Sequence, residues 1–135
     1  MRRTLSVICL LACVAIALPI IAQQKSAAAD SVSGTWTGDW GPNAADRNQV
    51  SVDLKLNAGA VTGTVHSVTP KRDDVAITKG TYTAAGNKVH LEAEAKSPRG
   101  GAMVHYVIDG TLAGTTMSGS WNHDASKGDF KLTKK

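Results

Sequence analysis

Residues 33 to 40 read Ser33-Gly34-Thr35-Trp36-Thr37-Gly38-Asp39-Trp40. In an extended chain successive side chains point to opposite faces, so Trp36, Gly38 and Trp40 share one face while Thr35, Thr37 and Asp39 share the other. Glycine, threonine and tryptophan in that alternation describe a strand whose tryptophan face is buried. Two tryptophans so close together need apolar partners, and the chain downstream supplies them in the same alternating form.

Val50, Val52, Leu54 and Leu56 alternate with Ser51, Asp53 and Lys55, the clearest half-buried strand in the chain. The stretches 61–67, 75–83, 89–96, 103–112, 117–121 and 129–133 follow as further strands, with Gly-, Asn- or Pro-containing turns between them. Within 75–83 the inward alternation of Val75 and Ile77 reaches Tyr82 only through a register slip, which we place as a bulge at Gly80. No helical period occurs after residue 30. Eight short strands joined by hairpin turns predict an all-β fold, an eight-stranded antiparallel up-and-down β-barrel spanning residues 30–135. The motif Leu56-x-x-Gly59-x-Val61-Thr62-Gly63-Thr64-Val65 recurs in type as Leu112-x-Gly114-x-x-Met117-Ser118-Gly119-Ser120-Trp121, as expected when a meander repeats one hairpin.

Upstream of the first strand, Arg2-Arg3 precede an apolar run from Leu5 to Ala22 and a small-residue patch at 26–29. That order predicts a signal-peptide helix within residues 1–29, cleaved after Ala22 or Ala29, and a secreted or periplasmic product. A membrane anchor, or a lipidated Cys13, are the competing readings; Pro19 and the alanine patch favour processing, which would leave no stable membrane anchor. Both cysteines, Cys9 and Cys13, lie in the leader, so the exported domain would rely on its core without disulfides. The whole chain has 15 basic and 11 acidic residues; loss of Arg2, Arg3 and Lys25 leaves 12 against 11, or +1. Such a balance offers no basic stripe for a phosphate backbone and argues against a nucleic-acid partner.

Gly34-x-Trp36 resembles the first-strand signature of lipocalins and related calycin barrels, in which the tryptophan plugs the closed end beneath a basic side chain of the last strand. The resemblance implies that role for Lys131 or Lys134, where the family more often has arginine. Gly34-Thr35-Trp36, Gly59-Ala60-Val61-Thr62-Gly63-Thr64 with Ser67, and Gly128-Asp129-Phe130 are also similar to avidins. The biotin site does not carry over: Gly38, Pro42 and Val65 stand where that family has ligand-binding polar residues. Ser67 matches a ligand serine, and Asp129 a ligand aspartate only if one residue is skipped. The resemblance thus implies an exported bacterial barrel of calycin type with a different ligand, or none.

Residue types for catalysis are not assembled at any recognisable spacing. No G-x-S-x-G elbow, H-E-x-x-H or Gly-Lys-Ser/Thr loop occurs, so the sequence predicts no enzyme, no metal and no cofactor. His66, His90 and His105 fall on outward phases and read as surface partners of nearby carboxylates. The inward phases carry nearly all the aromatics, and they are otherwise short of volume at Gly63, Ala93, Ala95, Gly110 and Gly119. Two expectations follow. Either the glycines let strands bend closely and the aromatics fill the barrel, giving a structural or protein-interaction module. Or the small residues leave a mouth in which Trp40, Tyr82, Tyr106, Trp121 and Ser67 bind a small apolar or aromatic molecule. The number of large aromatics favours the filled interior.

Overall fold

The computed structural model describes residues 30–97, 100–124 and 126–135. The expected leader, residues 1–29, lies outside the described residues, as do Pro98 and Arg99 in the turn expected there. The strands are β1 (Gly34–Gly41), β2 (Asn48–Asn57), β3 (Ala60–Thr69), β4 (Val75–Thr83), β5 (Lys88–Lys96), β6 (Met103–Ala113), β7 (Thr116–His123) and β8 (Ser126–Lys134). Each pairs antiparallel with the next, and β8 returns to β1 through registers such as Trp36↔Lys134 and Trp40↔Phe130. The fold is therefore an eight-stranded up-and-down closed barrel, with no helix among the described residues.

Local chemistry explains the connections. Ala58 and Gly59 both take positive φ, 50° and 82°, the backbone that a two-residue hairpin needs to match the twist of its strands. The inward residues of every strand then meet in one core containing Trp36, Val52, Leu54, Val61, Val89, Leu91, Leu112, Met117 and Leu132.

One end of the barrel is stoppered. Residues 30–33 fold across it ahead of β1, leaving Val32 fully buried beside the fully buried Trp36. The Trp36 indole Nε1–H donates to the Val32 carbonyl at 2.8 Å. The Ser33 amide and hydroxyl donate to the two carboxylate oxygens of Asp30, and the Ser33 hydroxyl oxygen accepts from the Leu56 amide at 2.8 Å. Lys134 closes the arrangement, its ammonium 5.6 Å from the Trp36 ring centre and donating to the Ser31 carbonyl at 3.3 Å. Of the two lysines implied by the resemblance, it is Lys134 that covers the tryptophan.

The expected register slip in β4 is present, but it lies between Ile77 and Lys79 rather than at Gly80. The shift puts Gly80 and Tyr82 on the inner phase after Thr78 and Lys79 have both turned outward. The ladders are unequal. β5 and β6 pair without interruption from Lys88↔Thr111 to Lys96↔Met103, whereas β3 and β4 register only at Ala60↔Thr81, Thr64↔Ala76 and Val65↔Val75, with an irregularity between.

Candidate binding cavity

The opposite end of the barrel is open, and a cavity of about 590 Å³ runs down from it into the interior. The two explanations of the small inward residues turn out to hold at different positions. At Gly63 a Cβ would sit 1.9 Å from the Asp53 carbonyl oxygen, and at Gly119 1.9 Å from that of Asp109. These glycines let neighbouring backbones touch where the strands bend. Gly110 faces Phe130 Cζ and Met117 Cγ, at 2.9 and 3.4 Å from the position of a Cβ, so its space is filled by side chains. Ala93 and Ala95 on β5 instead line the cavity. The closed half is thus packed, whereas in the open half aromatics line a cavity.

Four of the five expected site residues meet at this cavity: Ser67 on β3, Trp40 on β1, Tyr106 on β6 and Trp121 on β7. Tyr82 does not. It stands at the stoppered end, pairing with Val89, its amide donating to the Gly59 carbonyl at 2.9 Å and its hydroxyl to Asn87 Oδ1 at 3.1 Å. Its phase is inward, but its height along the barrel is wrong for the mouth. Asp129, the position resembling an avidin ligand aspartate, also stays out: its carboxylate accepts from the Arg47 guanidinium, which binds Asp39 as well. Arg47 thereby joins the β1–β2 loop to β1 and β8 on the outside of the mouth.

The aromatic side of the cavity is a corner rather than a stack. Trp40 and Trp121 meet edge to face, with ring centres 5.0 Å apart and planes at 81°. Tyr106 lies 6.3 Å from Trp121 at 48°. Behind them His123 stacks on Trp121 at 5.7 Å and 16° and touches Tyr106 at 4.6 Å. The Trp121 indole donates to the Asp129 carbonyl at 3.2 Å, which fixes its orientation. Facing the corner are aliphatic side chains, among them Val50, Val52, Val65 and Leu91. Burial pushes the Tyr106 hydroxyl above the ordinary tyrosine range, with the positive charge of Arg72 acting in the other direction. The hydroxyl is therefore neutral at physiological pH and available as a donor.

Sequence reasoning missed the rim. Arg72, Asp73 and Asp74 come from the β3–β4 loop, and Glu94, Lys96 and Met103 from the ends of β5 and β6. Loop residues carry no strand phase, so nothing in the alternation aims them at the mouth. His123 was missed for a related reason: it belongs to β7 and its Nδ1 is buried with no hydrogen-bond partner among the described residues, whereas the sequence places it in a polar loop.

On the outer wall three histidines sit between carboxylates. His66 Nδ1 is 2.8 Å from Asp74 and Nε2 3.1 Å from Asp53. His90 Nδ1 is 2.6 Å from Asp109 and Nε2 3.1 Å from Glu92. His105 Nε2 is 3.2 Å from the other Glu92 oxygen. A carboxylate only accepts, so an imidazole between two of them satisfies both by carrying two N–H groups and a positive charge. A second depression of about 400 Å³ lies outside the barrel over Gly110 and Gly119, with Thr81, His90 and Asp109 among its lining residues. Among the described residues no cluster of histidine, cysteine and carboxylate side chains is arranged to hold a metal ion.

No protein-family model matches this chain, and no curated protein matches it in sequence.

Proposed function

We propose that this chain is an exported, non-enzymatic binding module that takes a small apolar or aromatic molecule into the open mouth of its barrel. The observation that carries this reading is the cavity of about 590 Å³ with an aromatic corner and aliphatic walls. Its volume lies within the roughly 300–1,000 Å³ typical of small-molecule sites, and its lining combines apolar bulk with few polar groups. Export follows from the basic, apolar and small-residue order of residues 1–29, which would place the domain in the periplasm or outside the cell. The calycin-like plug of Trp36 under Lys134 agrees with a barrel that is closed at one end and loaded from the other.

Native mass spectrometry of the protein taken from its own host should show a co-purifying small molecule. Trp40 and Trp121 should report its exchange through their fluorescence. Ala95→Phe adds a ring at a position that lines the cavity and should abolish binding while folding is preserved. Gly119→Val cannot serve, because its Cβ would collide with the Asp109 carbonyl whatever the cavity holds. Absence of any co-purifying molecule, together with tryptophan emission unmoved by apolar probes, would leave the barrel a structural or protein-interaction module.

A further inference from the structure

We infer that the molecule held at the mouth is a planar aromatic compound bearing a negative charge, its ring in the Trp40–Trp121–Tyr106 corner and its anionic group towards Arg72. This inference rests on the binding reading above and narrows it to a ligand class.

The ring follows from the corner. Two indoles at 81° offer one face for stacking and one edge for a T-shaped contact at the same time, the two arrangements that aromatic pairs prefer. His123 wedged behind Trp121 and Tyr106 keeps that wall in place. The Ser67 and Tyr106 hydroxyls border the same space, and neither makes a side-chain hydrogen bond among the described residues, so both can address a polar substituent.

The charge follows from what is already matched at the rim. Asp74 is held by His66, and Glu94 lies 3.9 Å from His105. Arg72 and Lys96 form no ion pair among the described residues, so both cations at the opening remain available to an anionic group, beside the carboxylates of Asp73 and Glu94. Arg72 lines the same cavity as Tyr106, Trp40 and Trp121. A cationic ligand would gain from the aromatic faces but would meet Arg72 there; an anion meets a planar guanidinium suited to a carboxylate.

Calorimetric titration with 2-naphthoate, neutral 2-naphthalenemethanol, protonated 2-naphthylmethylamine and decanoate separates the possibilities. The naphthoate should bind about five- to tenfold more tightly than the alcohol at low salt, as a charge-assisted hydrogen bond on a solvated rim allows. The amine should bind more weakly than the alcohol, and the naphthoate advantage should shrink in high salt. Arg72→Gln, on an exposed loop, should remove the advantage of the naphthoate over the alcohol. Equal binding of the three naphthyl probes, or preference for the amine, overturns the anionic assignment while the binding reading stands. Decanoate outcompeting naphthoate overturns the planar ring. Failure of all four to bind overturns this inference together with an apolar or aromatic occupant.

Discussion

Trp36 does two jobs with one side chain: its ring seals the stoppered end, and its N–H satisfies the buried Val32 carbonyl. Truncation would therefore remove a full aromatic volume and leave a buried acceptor without its partner. Trp36→Ala should destabilise the barrel by about 3–5 kcal/mol in denaturant titration, the range for aromatic truncation in a core. Lys134→Met, which removes the charge over the ring and the ammonium's hydrogen bond to the Ser31 carbonyl, should cost about 1 kcal/mol. A Trp36→Ala loss no larger than that would contradict the plug. At this scale the sequence was informative where a residue stands on a strand: the face of Trp36, Trp40, Tyr106 and Trp121 follows from alternation alone. Arg72, on a loop, has no such signal. Tyr82 shows a different gap, because a period of two separates inside from outside but says nothing of height along the barrel axis, which depends on pairing register.

At the scale of elements, neighbouring strands are tied across their outer faces by histidine–carboxylate contacts, and these make the barrel sensitive to pH. Hydrogen bonding to Asp74 above all, and to Asp53, holds the His66 pKa above its usual value; Asp109 first and then Glu92 do the same for His90. A raised folded-state pKa means stabilisation that is complete below the unfolded value, about 6.5, and lost as pH rises through the folded value. Asp53 is held low by Thr35 and His66, and Glu92 chiefly by His90, so their contribution is complete above the ordinary carboxylate range and lost on further acidification. Thermal stability should accordingly rise as pH falls through the raised histidine pKa values and decline again as it falls below the ordinary carboxylate range. His66→Asn with His90→Asn should flatten the upper limb while sparing the lower one in part. The exposure of these pairs keeps the effect modest, and high salt should reduce it. The recurring hairpin motif acquires a physical meaning here too. Gly63 and Gly119 hold equivalent places, each pressed on the carbonyl of an aspartate, Asp53 or Asp109, whose side chain grips one of these histidines. Two residues on, Val65 and Trp121 both face the cavity.

Across the whole molecule, a packed and stoppered end supports an open one, and rigidity is distributed accordingly. Closing a sheet on itself normally leaves no strand edge available to another chain. The β3–β4 seam is the exception in degree: three registered pairs hold it, and beyond Val65↔Val75 the His66–Asp74 contact fastens the loop to the wall. Opening there would turn the cylinder into a curled ribbon with β3 and β4 as its two margins, each presenting unpaired amides and carbonyls. Amide protons of residues 61–68 and 75–81 should accordingly exchange with solvent faster than those of β5 and β6, and the difference should widen as pH rises through the raised pKa of His66. The same margins are complementary in direction to those of a second opened copy, so prolonged incubation under mildly alkaline, concentrated conditions should yield strand-exchanged dimers joined at this seam.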